Sequence, residues 1–167
     1  LAPDAKTQRQ DVLLTETASR IRRHKGLRAR ERCDTPLIVA VSKYDVWKDL
    51  LGSDPVDLPW KMFPDNRIAG LDLQTIASVS SRLRKLIERL YPEFVTAAES
   101  FFSNVIYIPN SALGHSPSLD NDSGELRIKP SDISPYWASI PMLYLLYQFK
   151  CIYPLSSRKD RGVPFIK

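Results

Sequence analysis

The sequence predicts an α/β domain: a three-layer sandwich built around a short parallel sheet. Two apolar runs carry the first part of that expectation. Leu37-Ile38-Val39-Ala40-Val41 and Val105-Ile106-Tyr107-Ile108 are short, rich in β-branched residues and free of alternation, the pattern of strands buried on both faces. Helical periodicity before, between and after them gives the order helix–strand–helix–helix–strand–helix. Composition supplies the rest. In 167 residues, 43% are hydrophobic and 26% charged, with a net charge of +5. These values fit one globular domain over residues 1–167 and exclude a largely disordered or low-complexity chain.

The first helix is expected over about Asp4 to Lys25, with Leu14, Ala18 and Ile21 on its inner face. Arg22, Arg23, His24 and Lys25 fill its last turn and Gly26 follows. That is the charge complement of a helix C-terminus and the residue that best adopts a left-handed cap. After the first strand, residues 52 to 70 hold Pro55, Pro59, Pro64 and three Asp and read as loop. A long helix over Asp72 to Leu90 carries Ile76, Val79, Leu83, Leu86, Ile87 and Leu90 on one face. Tyr91-Pro92 ends it, and Pro92 suits the first turn of the next helix, whose inner face is Phe94, Ala98, Phe101 and Phe102. Beyond the second strand, residues 115 to 131 read as a surface excursion with a short hairpin near Leu126 to Ile128. A last helix over Ser139 to Lys150 is expected to bury Met142, Leu145, Leu146 and Phe149. Residues 151–167 read as a loose polar tail. Two strands make a small sheet, and the chain opens on Leu1, so the pattern reads as the second half of a larger domain.

Several function classes are set aside at this level. Cys33 and Cys151 are too few for a disulfide scaffold and read as free thiols of a cytoplasmic protein. No run reaches the roughly 18 apolar residues of a membrane span, and the N-terminus lacks a signal-peptide pattern. His24 and His115, with the two cysteines, have no metal-ligand spacing. Arg20 to Arg32 holds seven Lys/Arg against the single acidic Glu31. No aromatic residue interleaves that run, so it reads as a solvated helix end rather than a nucleic-acid platform.

Ligands of parallel sheets sit beyond the carboxyl ends of the strands. Both strands end there in a polar motif: Ser42-Lys43-Tyr44-Asp45 after the first, and Asn110-Ser111-Ala112-Leu113-Gly114 after the second. An apolar strand followed by [N/T]-K-x-D resembles the base-recognition motif of P-loop GTPases, and a strand followed by S-A-L resembles their second base-recognition loop. The resemblance covers about residues 8 to 150. The long spacer with two helices is most similar to the bacterial double-GTPase type.

The resemblance implies binding of GTP or GDP through Ser42, Lys43, Asp45, Ser111, Ala112 and Leu113. The chemistry suits these residue types. A carboxylate accepts both N–H donors on one edge of guanine, a pair that adenine lacks. A Lys stem can lie on a base face, and a turn of small residues can bring a backbone N–H to the guanine O6. Ser42 stands where the family has Asn or Thr, and a hydroxyl makes fewer hydrogen bonds than an amide. G-x-x-x-x-G-K-[ST], which would hold the phosphates and Mg²⁺, is absent, as is a D-x-x-G directly after a strand. The chain alone therefore lacks the parts for hydrolysis, and catalytic residues are assigned to none of its positions. GTPase activity and Mg²⁺ require an upstream P-loop half. The alternative is a non-enzymatic interaction or scaffold domain on a degenerate GTPase-like fold, binding a protein partner or a second copy of itself through surfaces that the other half would have covered.

Overall fold

The computed structural model of the chain describes residues 9–52, 58–62, 69–119 and 126–152. In chain order these form α1 (Gln10–Lys25), β1 (Leu37–Val41), the single turn α2 (Tyr44–Trp47) with a 3-10 turn after it (Lys48–Leu51), β2 (Trp60–Met62) and β3 (Ala69–Leu71). There follow α3 (Leu73–Leu90), α4 (Pro92–Phe101), β4 (Val105–Pro109), β5 (Ser118–Leu119), β6 (Leu126–Arg127), a 3-10 turn (Pro130–Asp132) and α5 (Ile140–Gln148). The fold is mixed α/β. Its centre is the parallel pair β1–β4, in register from Leu37 opposite Val105 to Val41 opposite Pro109. Two antiparallel ribbons, β2–β3 and β5–β6, are appended to it.

The two edges of the parallel pair differ. Asn110 N–H donates to the Val41 carbonyl, so by alternation the N–H groups of Val105 and Tyr107, and the ring nitrogen of Pro109, face away from β1. Proline at that phase loses no ladder bond. The outward N–H of Tyr107 donates to Ser80 Oγ at 2.9 Å, a buried hydroxyl on α3. α3 thus closes the β4 edge. On β1, the Leu37 N–H donates inward to the Asn104 carbonyl, so Ile38 and Ala40 carry the outward groups. Among the described residues no strand pairs with that edge.

Three clusters make the core. Ile106 and Ile108 pack with Leu71, Ile76, Val79, Trp137 and Ile140, with Ile38 at the margin. Tyr107 packs with Leu83 and Leu86 on the opposite sheet face. Ala18 of α1 meets Phe101, Phe102 and the fully buried Cys33. Asp72 initiates α3 by accepting from the N–H groups of Gln74 and Thr75 and the Thr75 hydroxyl. Its own N–H donates to the Pro59 carbonyl, tying the β2–β3 ribbon to the start of that helix. Gly26 ends α1 with φ 65°, in the left-handed cap expected of it. Arg84 of α3 forks onto Glu99 of α4 at 2.6 and 2.7 Å, and the Tyr107 hydroxyl donates to the same carboxylate.

The structure corrects the sequence reading in four places. The stretch read as loop contains the β2–β3 ribbon, because Trp60 and Leu71 pack against the core despite the surrounding prolines. β1 is not buried on both faces: its residues are half-buried and Ala40 is exposed. α5 is rotated relative to expectation. Ile140, Leu143, Tyr144 and Tyr147 face the core, while Met142 and Phe149 are 60% and 62% exposed. An almost wholly apolar helix has no polar face to fix its rotation, so packing decides it. Leu90 ends α3 63% exposed. The expected first turn of α1 before Arg9 lies outside the described residues, as does the tail from residue 153. Cys33 and Cys151 are free thiols, and the described helices include none long and apolar enough to cross a membrane.

Arg84 holds the Glu99 carboxyl below its ordinary value of 4.5 against the opposing effect of burial. Folded Glu99 therefore binds its proton less readily than unfolded Glu99, so its contribution to stability is present above that value and lost as the pH falls below it. Glu99→Gln should cost about 1 kcal/mol near pH 7, since the pair is partly solvated. Urea titrations at several pH values should show the wild type losing stability faster than the variant below about pH 4.5.

Candidate functional site

Parallel neighbours end side by side, so the segments leaving β1 and β4 meet. The Tyr44 N–H donates to the Asn110 carbonyl at 3.0 Å, and the Asn110 N–H returns to Val41. Asn110 is thus the backbone clasp between the two exits. Lys43 turns the chain out of β1 in the left-handed region, φ 58°, a conformation that disfavours most side chains. The turn sets Tyr44 and Asp45 in the first turn of α2 and leaves Lys43 exposed. Ser42 is exposed, and its carbonyl accepts from Trp47 Nε1 at 2.7 Å.

Asp45 is half-buried. Its Oδ1 accepts from Ser111 Oγ at 2.5 Å and its Oδ2 from Ser116 Oγ at 3.5 Å. Ser111 is buried, and its hydroxyl also accepts from the Gly114 N–H. Ser111 and Tyr136 exchange backbone hydrogen bonds, and the Leu113 carbonyl accepts from the Ser134 N–H. Ala112 is exposed, and the N–H groups of Ala112 and Leu113 make no hydrogen bond among the described residues. All six residues singled out from sequence thus lie on two adjoining loops. Ser111 and Asp45 touch directly, while Lys43 and Ser42 stand at the solvent side.

Residues outside the motifs complete the arrangement. Tyr44 stacks on Tyr136 with ring centroids 4.4 Å apart and meets Trp47 edge-on at 5.1 Å. Tyr136 stacks in turn on Trp137 at 5.9 Å. Trp137 is buried in the left-handed region at φ 49°, a costly conformation for a bulky side chain. The segment before α5 is thereby stapled to the loop after β1. Nothing in the sequence spacing of Tyr136 and Trp137 ties them to residues about 90 positions earlier. His115 Nδ1 lies 2.9 Å from the Ser116 carbonyl, while its Nε2 and Trp137 Nε1 are buried without a partner. No group of three or more His, Cys, Asp or Glu suited to a metal ion occurs among the described residues.

A scan of protein-family models, a search of curated proteins and a search of solved structures each find no match. The reading of this site therefore rests on its chemistry and on the motif resemblance.

The basic run from Arg20 to Arg32 is in part structural. The Arg22 guanidinium donates to the carbonyls of Arg28 and Glu31 and lies 4.9 Å from the centre of the Phe101 ring. Arg32 donates to the carbonyls of Glu99 and Phe102. Two cations of the run thus tie the loop after α1 to α4.

Gly114 has φ 80°, and a Cβ there would lie 1.8 Å from the Ser134 carbonyl oxygen. Gly26 is also left-handed, but a Cβ there meets nothing within 4 Å. Gly26→Ala should therefore cost only the conformational penalty, about 1 kcal/mol. Gly114→Ala should cost about 3 kcal/mol or more, because the backbone must also move. Chemical denaturation of both variants measures the difference. Equal losses would show that the Ser111–Gly114 turn is not held against Ser134.

Proposed function

We propose that this chain is the guanine-recognising part of a P-loop GTPase-like domain, with Ser42, Lys43, Asp45, Ser111, Ala112 and Leu113 forming one base site. The observation that carries the reading is the Ser111–Asp45 hydrogen bond, which joins motifs 66 positions apart at the carboxyl ends of adjacent parallel strands. It fixes the carboxylate through one oxygen. The other oxygen has only the long contact to Ser116, which a ligand donor can displace.

The chemistry follows from the groups present. Asp45 accepts from N1–H and the exocyclic amine of guanine in a bidentate pair. The unpaired N–H groups of Ala112 and Leu113 are the donors available to O6. The exposed Lys43 lies along the base face by its aliphatic stem. The nucleotide is GTP or GDP; its phosphates and Mg²⁺ would be held by a G-x-x-x-x-G-K-[ST] loop, which this sequence lacks and which would supply the hydrolytic chemistry. What these residues do is bind and select the base.

A second reading, an interaction domain that has kept the fold without the nucleotide, is favoured by the open β1 edge. The two separate in one experiment. Saturation-transfer NMR of the chain with GMP and AMP should show a weak, roughly millimolar guanine preference, as expected without phosphate contacts. Asp45→Asn exchanges an acceptor for a donor. It should weaken GMP by about tenfold and shift preference toward XMP. Equal responses to GMP and AMP, or a preference unmoved by Asp45→Asn, would reject base recognition and leave the interaction reading.

A further inference from the structure

We propose that Tyr136, by stacking on Tyr44, is the positioning residue that holds the two loops at the strand exits in register. On the guanine reading of the site, which this role presupposes for its effect on binding, the register decides whether Asp45 and the N–H groups of Ala112 and Leu113 can meet one base together. Tyr136 belongs to neither motif, yet it touches both loops. Its backbone exchanges two hydrogen bonds with Ser111, at 2.8 and 2.9 Å. Its ring lies on that of Tyr44, with centroids 4.4 Å apart and planes 18° from parallel. Tyr44 stands between Lys43 and Asp45 in the chain. The far side of the stack continues to Trp47, which meets Tyr44 edge-on and donates from Nε1 to the Ser42 carbonyl.

Local structure cannot fix the carboxylate by itself. α2 is four residues long, has no side-chain cap and buries none of its residues, and a single helical turn is unstable in isolation. It is also entered through Lys43 in the left-handed region, a conformation that must be held from outside. The Ser111–Asp45 hydrogen bond is one such hold, but a single bond leaves rotation about itself. The ring stack is a second point of attachment that removes this freedom. Tyr136 is in turn firmly mounted. Its neighbour Trp137 is 5% exposed and packs with Ile106, Ile108 and Ile140, and the Trp137 carbonyl accepts from the Ile140 N–H at the start of α5. Guanine carries its N–H pair and its O6 at a fixed separation, so both loops must be placed to within about 0.5 Å for it to engage them together. Adenine lacks the N–H pair for Asp45 and gains less from that spacing. The stack therefore acts on base preference.

The test is ¹H–¹⁵N NMR of the whole chain, titrated with GMP and with AMP, for wild type, Tyr136→Leu, Tyr44→Leu, the double variant and Tyr44→Phe. Each leucine substitution removes the stack and should weaken GMP by about fivefold, with AMP little changed. The double variant should lose no more than either single one, because both remove the same contact. Tyr44→Phe keeps two stacked rings and should restore the preference that Tyr44→Leu loses. Hydrogen exchange without nucleotide reads the loops directly. Tyr136→Leu should speed exchange of the Tyr44 amide and the Trp47 indole N–H by about tenfold, while the amides of Val39 and Ile108, inside the parallel pair, stay protected. A wild type with no preference for GMP rejects the guanine reading alone, and the exchange rates then decide whether the stack positions the loops. Loop exchange unmoved by Tyr136→Leu, a GMP preference that survives it, or additive losses in the double variant overturn the proposal. Exchange that quickens equally throughout the sheet assigns Tyr136 to core packing only and overturns it as well.

Discussion

The parallel pairing of Leu37–Val41 with Val105–Pro109 is the constraint on which the rest of the molecule depends. It sets two chain exits side by side and divides the apolar side chains between two sheet faces. Ile106 and Ile108 go to one face and Tyr107 to the other. A two-strand sheet buries too little to stand alone. Its persistence here depends on α3, which packs on β4 and takes up the one outward N–H of that strand that would otherwise be buried unpaired. Ser80 is the small polar residue on an apolar helix face that makes this closure possible, since an unsatisfied buried N–H is expensive.

The long connection between the strands has structural work of its own. α3 and α4 are locked by the Arg84 fork on Glu99, and the Tyr107 hydroxyl joins that network from the strand between its apolar neighbours. Burial and the Glu99 charge both hold the Tyr107 phenol in its neutral form, raising its pKa. The buried tyrosine thus acts as a hydrogen-bond donor to the carboxylate. α1 is attached on the far side of α4 through Ala18, Phe101 and Phe102, with Arg22 over the Phe101 ring. Two of the cations that dominate the sequence near residue 25, Arg22 and Arg32, are consequently engaged with backbone carbonyls, which lessens what remains for an external polyanion.

At the strand exits, backbone hydrogen bonds and aromatic stacking substitute for the missing width of the sheet. Asn110 clasps one exit to the other, Tyr44 rests on Tyr136, and Ser111 joins Asp45 to the turn at Gly114. Left-handed residues stand beside both members of that stack, Lys43 next to Tyr44 and Trp137 next to Tyr136. Strain of this kind is held only where surroundings over-determine it, and here it aims two loops at a common point. On the β1 side, Ala40 and Met142 are exposed and no strand pairs with the edge among the described residues. The fold thus combines a tightly determined pair of loops with a sheet edge that is not closed by a described strand.

Much of this was legible in the sequence. The two strands, the helices from Leu73 and Pro92 and the cap at Gly26 follow from local rules: apolar runs without alternation, 3.6-residue periodicity, proline at a helix start and glycine at its end; the six loop residues come from the motif resemblance at the strand ends. Those rules see only neighbours along the chain. The β2–β3 ribbon escaped them because it is three residues wide and takes its stability from Trp60 and Leu71 against a distant core. The rotation of α5 escaped them because a uniformly apolar helix has no amphipathic signal to read. The sequence by itself determined the longer helices, the two parallel strands and which polar residues end those strands. Only the tertiary structure decided that Asp45 meets Ser111, that Tyr44 lies on Tyr136, and that α3 closes the β4 edge by the Ser80–Tyr107 hydrogen bond. Each of these is a contact between residues dozens of positions apart, and it exists only once packing of the apolar faces has fixed their distance.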